Sequence, residues 1–242
     1  FVGRVTFKSY LFFLVVWQVL VYYPFVHMVW GGGLLAQWGV LDFAGGIVVH
    51  ATAGFAALAS VFYVGARSDK DSTPNSIPLV AIGTGLLWFG WYGFNAGSEL
   101  SVDNITVQAF ANTDVAASFA TVTWLIIEWI RARKPKFIGL LTGAVAGLAT
   151  ITPAAGFVPL WAAALMGIMA GLVCYYAVSL KNKLGWDDAL DVWGVHGVGG
   201  VLGTILLGVF ASSAINPMIT TQGVIYGEWS FFFKQLVAVA GA

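Results

Sequence analysis

Two histidines lie inside strongly apolar stretches, where an ionisable side chain is costly and usually serves a function. His50 lies eight residues after Asp42, and His196 lies five residues after Asp191. A valine precedes each histidine, and a glycine follows each four residues later. Imidazole donates and accepts hydrogen bonds, moves protons near neutral pH and ligates metals. These residue types therefore predict a site that binds a polar ligand, relays a proton or holds a metal.

The composition places these residues in a membrane. Of the 242 residues, 59% are hydrophobic and 9% charged, with a mean hydropathy of +0.86, whereas a soluble domain carries about a quarter charged residues. The 30 glycines and 11 tryptophans agree, since membrane helices use glycine for close packing and tryptophan at the interfaces. The net charge of zero predicts no nucleic-acid partner, and the single Cys174 predicts a structural thiol without disulfide or metal cluster.

Apolar stretches of helix length recur along the chain. We place seven full spans and a partial eighth at residues 7–30, 42–65, 77–97, 106–130, 137–151, 157–180, 191–212 and 229–242. Most have the ~20 residues that cross ~30 Å of hydrocarbon. The fifth is short and ends at Pro153, which cannot continue a helix. The sequence predicts an all-α, polytopic membrane protein with a single transmembrane domain over residues 1–242.

Basic residues fall in alternate connections between these spans. Ten of the eleven precede span one or follow spans two, four and six: Arg4, Lys8, Arg67, Lys70, Arg131, Arg133, Lys134, Lys136, Lys181 and Lys183. The intervening connections contain none, and Lys234 lies in the partial last span. The positive-inside rule makes the basic connections cytoplasmic in a multi-pass protein of the cell membrane, plasma or inner.

This orientation makes the two histidine-bearing spans run in opposite directions. His50 descends from the outside and His196 rises from the inside, so the pair can meet near the midplane. A similar helix in both orientations is typical of inverted repeats with a binding site at their interface. His27, near the outer end of span one, is interpreted as a packing residue.

Three aspartates have structural interpretations. Asp42 and Asp191 each begin a span, where a carboxylate accepts backbone N–H groups as an N-cap. For Asp42, attraction of a cation at the outer mouth is an equally good interpretation and is compatible with capping. For Asp191 the cap is favoured. Asp114, inside span four, predicts a polar contact with a neighbouring helix.

Five segments carry a resemblance to a known family. They are HMVWGGG at 27–33, DFAGGIVVH at 42–50, GWYGFNAGS at 90–98, TPAAGF at 152–157 and DVWGVHG at 191–197. Together they resemble the Amt/Rh ammonium transporter family, in a bacterial-type Amt protein truncated at both ends. The resemblance implies two inverted five-helix repeats, a homotrimer and one pore per subunit. The chain would hold the family's fourth to tenth helices and the start of its eleventh.

The resemblance also assigns roles to residues. Trp30 and Ser98 would recruit ammonium at the outer vestibule, with Asp42 buried beneath it. Phe94 would be one ring of a phenylalanine gate, whose second ring would lie before Phe1. His50 and His196 would be the twin histidines that line the pore. The family implies ammonium, ammonia or methylammonium as substrate, with no enzymatic activity, cofactor or metal.

These residue types suit selection of ammonium over potassium, which is of similar size. An indole face attracts a cation by ~0.5 to 2 kcal/mol, and a serine hydroxyl accepts one of its protons. An apolar lumen rejects an unpaired ion but costs neutral ammonia only a few hydrogen bonds, so deprotonation precedes passage. The same burial keeps both imidazoles neutral, so that one ring donates to the other and the remaining nitrogens face the pore.

Two other functions remain open from the sequence. In an ammonium sensor, the same binding site would signal through a fused signalling domain. A cytoplasmic regulatory protein is the alternative partner. An intramembrane enzyme using both histidines and an aspartate is less favoured, because no HExxH or similar spacing occurs.

Overall fold

The computed structural model describes residues 1–68 and 73–242, which form helices and connections without a strand. The α-helices are α1 (Phe7–Trp17), α2 (Tyr23–Val29), α3 (Leu34–Trp38), α4 (Thr52–Val64), α5 (Ile77–Ala96), α6 (Asn104–Ala132), α7 (Phe137–Ile151), α8 (Leu160–Lys183), α9 (Val198–Phe210) and α10 (Trp229–Ala240). Three π-helical turns, at Gln18–Tyr22, Gly46–Ala51 and Trp193–Gly197, join α1 to α2 and precede α4 and α9. Short 3₁₀ turns lie at Gly97–Glu99 and Val224–Tyr226.

The helices confirm the predicted all-α membrane architecture. Within the described residues, six continuous helical stretches are long and apolar enough to cross a membrane: Phe7–Trp38, Gly46–Val64, Ile77–Glu99, Asn104–Ala132, Leu160–Lys183 and Trp193–Phe210. The shorter apolar helices α7 and α10 coincide with the short fifth stretch and the partial eighth. Each predicted stretch therefore corresponds to a helix, with ends shifted by a few residues.

Local sequence signals explain where several helices begin. The Asp103 carboxylate accepts from the N–H groups of Ile105 and Thr106, and the Thr106 hydroxyl accepts from the Asp103 N–H in a capping box. Ser76 caps α5 through the N–H of Leu79. These polar starts define the helix ends that hydropathy alone leaves uncertain.

The core forms where small residues let helices approach closely. Ala116 and Ala120 of α6 are fully buried, and they pack against Gly147 of α7 and Gly167 and Gly171 of α8. A Cβ on any of these glycines would press on the α6 backbone. Close backbone approach through small residues is how membrane helices gain packing energy. It holds α6, α7 and α8 tightly together, and α7 and α8 in turn contact α9.

A polar cluster joins three connections that the sequence places on one side. Arg4 Nη1 donates to the Gly65 carbonyl at 2.9 Å, and Arg67 Nη2 donates to Asp187 Oδ1 at 2.8 Å. Hydrogen bonds from the Arg67 guanidinium hold the pKa of Asp187 at about 2, well below its usual value. The start of α1, the end of α4 and the segment after α8 therefore share one end of the bundle. Lys70, which the sequence assigns to the same side, lies outside the described residues.

Candidate functional site

The candidate site lies where α4 and α9, each preceded by a π-helical turn, cross one another. A Cβ on Gly54 would overlap the backbone of Gly197, and one on Gly200 would lie 2.9 Å from the N atom of Ala51. Gly54 and Gly200 each lie four residues after a histidine, and each packs on the residue that follows the other histidine. This reciprocal contact is a local two-fold relationship between helices, as expected for inverted repeats.

The histidines meet at this crossing. The Nδ1 atoms of His50 and His196 lie 3.2 Å apart, within hydrogen-bond distance. Their ring centroids are 5.2 Å apart, with planes inclined by 30°. His50 is 4% exposed. Each histidine lies in a π-helical turn, Gly46–Ala51 or Trp193–Gly197, a local widening that is frequent at functional sites. The structure therefore brings the two imidazoles together at this crossing, as the sequence predicts.

Two further side chains complete the surroundings of His50. Its Nε2 atom lies 3.3 Å from the Thr152 hydroxyl oxygen, and the Trp91 indole N–H donates to the same oxygen at 2.9 Å. The Trp91 ring also stacks beside the His50 ring, with centroids 5.3 Å apart. The expectation that all remaining imidazole nitrogens face the pore therefore needs correction for His50, whose Nε2 is engaged by Thr152 in the helix-end turn after α7.

Asp42 is the cap of the His50 helix. Its two carboxylate oxygens accept four backbone N–H groups at 2.7 to 3.2 Å, from the four consecutive residues Gly45 to Val48. The side chain is 6% exposed. Charge-assisted bonds of this kind hold the first turn rigidly. Of the two interpretations of Asp42, the structure therefore shows the cap.

Asp191 does not play the corresponding role in the other repeat, and the favoured interpretation of it as a cap is wrong. Asp191 instead pairs with Lys181 Nζ at 2.6 Å. The cap is Asp188, which accepts from the N–H of Trp193 at 2.8 Å. Asp188 precedes His196 by eight residues, the same spacing as Asp42 and His50.

The residues expected at the outer end form two connected pairs. The Trp30 indole N–H donates to the Asp42 carbonyl at 2.7 Å, and the Trp30 side chain is partly exposed. The Ser98 hydroxyl donates to the Phe94 carbonyl at 2.7 Å, which leaves its oxygen able to accept. Phe94 lies 6.1 Å from His50 between ring centroids. No hydrogen bond joins Trp30 to Ser98 in the described part of the chain.

A cavity runs beside this constellation. It has a volume of about 300 Å³ and is lined by Val49, His50, Leu86, Leu87, Gly90, Trp91 and Phe94. Apart from the His50 imidazole and the Trp91 indole, these side chains are apolar. Such a lining disfavours an ion and tolerates a small neutral molecule.

The remaining singled-out residues have structural roles. Tyr92 donates to Asp114 at 2.5 Å, the predicted polar contact with a neighbouring helix. Cys174 is buried beside the Val195 carbonyl. Among residues 1–68 and 73–242, no three His, Cys, Asp or Glu side chains cluster as metal ligands would.

Sequence reasoning missed Thr152, Trp91 and Asp188. Thr152 and Trp91 lie within TPAAGF and GWYGFNAGS, but neither residue type by itself indicates a bond to a histidine. Asp188 had a usable signal, since its eight-residue spacing to His196 repeats that of Asp42 to His50.

Comparison with known proteins is consistent with this geometry. A model of the Ammonium Transporter Family matches residues 1–242. The chain is 48% identical over 98% of its length to a putative ammonium transporter of Methanothermobacter thermautotrophicus, of which it covers 59%. It is 46% identical over 99% of its length to an ammonium transporter of Bacillus subtilis, of which it covers 60%. The chain thus spans about three-fifths of these relatives.

Solved structures show the same similarity. The crystal structure of Candida albicans Mep2 superposes with a TM-score of 0.93 at 39% identity, covering 98% of this chain and 55% of that one. A structure titled Sensor Amt Protein superposes with a TM-score of 0.86 at 30% identity, covering 99% of this chain and 63% of that one.

Proposed function

Since this chain belongs to the Ammonium Transporter Family, we propose that it is the core of a protein that moves ammonium or ammonia across the cell membrane. The single observation that carries the proposal is the imidazole pair, with Nδ1 atoms 3.2 Å apart at the crossing of two glycine-packed helices. A neutral pair in a dry passage offers hydrogen bonds to ammonia without charge.

Transport begins with capture of the cation at the outer end. Trp30 presents its exposed indole face for a cation–π contact, and the Ser98 oxygen accepts a hydrogen bond. Asp42, with its carboxylate occupied by four backbone N–H groups, contributes by positioning. It holds the turn whose carbonyl binds the Trp30 indole.

Passage proceeds through the narrow apolar part of the path. Phe94 acts as a gate beside His50, and ammonium leaves its proton before entering. Ammonia, without that proton, then passes the twin histidines His50 and His196. Potassium is excluded because it cannot shed charge, and burying a bare ion in an apolar environment costs far more than burying a neutral amine.

The wider assembly is part of the same proposal. The chain lies in the plasma or inner membrane with its Lys/Arg-rich connections in the cytoplasm, and it works as a homotrimer of non-enzymatic subunits. The joining of Arg4, Arg67 and Asp187 at one end of the bundle supports a common side for these connections. A cytoplasmic regulatory protein is a candidate partner.

A sensor is the second candidate, in which the same site reports ammonium to a fused signalling domain. The similarity to a structure titled Sensor Amt Protein favours it. The higher identity to proteins named ammonium transporters favours transport.

The test is uptake of labelled methylammonium by proteoliposomes containing the complete protein. His50→Ala and His196→Ala should each change uptake or selectivity over potassium while assembly is retained. His27→Ala is the matched control, because His27 is exposed and lies outside the pair. Wild-type rates in both pore variants would refute the twin-histidine assignment, and absence of wild-type flux with intact ammonium binding would favour the sensor.

A further inference from the structure

The Thr152 hydroxyl lies between three partners in the interior of the bundle. It donates its hydrogen to the Leu148 carbonyl at 2.8 Å. Its oxygen accepts from the Trp91 indole at 2.9 Å and lies 3.3 Å from Nε2 of His50. Thr152 is fully buried, so no solvent molecule competes from bulk water.

The hydrogen-bond distances around Thr152 favour one arrangement. A hydroxyl has one hydrogen, and its contact with the Leu148 carbonyl, which can only accept, is 2.8 Å against 3.3 Å to Nε2 of His50, so we assign that hydrogen to Leu148. The Thr152 oxygen therefore acts as an acceptor toward His50. In a neutral imidazole one nitrogen carries hydrogen and the other accepts. For the contact to be a hydrogen bond, Nε2 of His50 must carry the hydrogen.

We propose that Thr152 is a positioning residue that sets the tautomers of both histidines. With its hydrogen on Nε2, His50 presents a bare Nδ1 that accepts. The 3.2 Å contact between the two Nδ1 atoms is then donated by His196. His196 consequently carries its hydrogen on Nδ1 and leaves its own Nε2 bare.

This assignment makes the pair chemically asymmetric although the glycine contacts between its two helices are reciprocal. The two Nδ1 atoms share one hydrogen, and Nε2 of His50 already has one. An additional proton can bind the pair only by forming an N–H bond at Nε2 of His196. No equivalent of Thr152 lies on His196 among the hydrogen bonds of the described residues. The meaning of this asymmetry for transport rests on the proposed function, whereas the tautomer assignment does not.

The experiment is nitrogen NMR of the complete protein, labelled with ¹⁵N-histidine, in lipid at neutral pH. Single His→Gln variants at 27, 50 and 196 assign the signals. The expected result is a hydrogen on Nε2 of His50 and on Nδ1 of His196. Thr152→Val keeps the shape but removes the hydroxyl, and should shift the tautomer ratio of His50 by about 2- to 12-fold.

Two matched variants accompany it. Thr152→Ser keeps the hydroxyl and should preserve the wild-type tautomers. Thr150→Val removes an equally buried hydroxyl outside this network and should also leave them unchanged. A hydrogen on Nδ1 of His50 in the wild type would overturn the proposal. So would an unchanged tautomer ratio in a folded Thr152→Val protein.

The wild-type spectrum and Thr152→Ser decide the matter even when Thr152→Val does not fold. Failure of the proposed transport is distinguishable from failure of this assignment. Proteoliposomes without ammonium flux but with the expected spectrum would refute transport and leave the tautomers standing.

Discussion

Gly54 packs directly on Gly197, and a Cβ on Gly54 would overlap the Cα and N atoms of Gly197. This contact sets the separation of α4 and the π-helical turn that precedes α9. Because the two histidines project from the same crossing, the 3.2 Å distance between their Nδ1 atoms depends on it.

Gly54→Ala should therefore disrupt the histidine pair. The added methyl has rigid backbone in its way, and overpacking of this kind costs about 1 to 3 kcal/mol. We expect a lower melting temperature and loss of methylammonium uptake in proteoliposomes. Gly83→Ala is the control, since its Cβ meets no atom within 4 Å. Normal uptake by Gly54→Ala would show that the pair tolerates a wider crossing.

Asp42→Asn should destabilise the fold more than it changes the affinity for ammonium. Asparagine has one acceptor oxygen where aspartate satisfies four N–H groups with two. We expect the free energy of unfolding to fall by about 3 kcal/mol, which would be measured as a lower melting temperature in detergent. Asp103→Asn is the matched control, because asparagine serves equally well at an exposed cap. An unchanged melting temperature with weakened ammonium uptake would assign the carboxylate to the cation.

Substitutions of Trp30 should separate its two contributions. Trp30→Leu removes both the aromatic face and the indole N–H bond to the Asp42 carbonyl. A lost cation–π contact raises the ammonium concentration for half-maximal uptake by about 2- to 30-fold. Trp30→Phe keeps a ring and should fall between Leu and wild type. Trp38→Leu, at another exposed tryptophan, controls for interface effects. Equal behaviour of the Trp30 and Trp38 variants would contradict cation recruitment by Trp30 and indicate a role at the lipid interface.

The Arg67 and Asp187 pair predicts a pH dependence of stability. The pKa of Asp187 in the folded protein is about 2, below its ordinary value of 3.8. A depressed pKa contributes stability above the ordinary value, and that contribution is lost as pH falls through about 4 toward 2. At pH 7 the free energy of unfolding of the wild type should exceed that of Asp187→Asn by about 1 kcal/mol or less. Melting curves should converge near pH 2.

Arg4→Gln serves as the comparison in those melts. Arg4 lies 3.7 Å from Asp187, against 2.8 Å for Arg67, so its removal should change the pH dependence less. Parallel wild-type and Asp187→Asn melting temperatures between pH 2 and 7 would contradict a stabilising role for this ion pair.

The sequence alone determined the membrane class, the positions of the apolar helical stretches and the meeting of His50 with His196. These follow from one-dimensional information, because hydropathy runs mark spans and alternating basic connections imply that the two histidine helices are antiparallel. For Asp42 the sequence left capping and attraction of a cation equally open, and the structure shows the cap bonds, because a carboxylate at a helix start meets unsatisfied N–H groups close in sequence. The site residues carried over from the resemblance, Trp30, Ser98 and Phe94, stay predictions of role.

Only the tertiary structure decided which partners surround the histidines. Thr152 and Trp91 are 102 and 41 residues from His50 in the chain, and no periodicity encodes a bond between them. Asp188 replaced Asp191 as the second cap because Lys181, ten residues before Asp191, draws that carboxylate into an ion pair. Helix spacing is a local property of the chain. The direction of a hydrogen bond depends on which side chains packing brings within about 3 Å of one another.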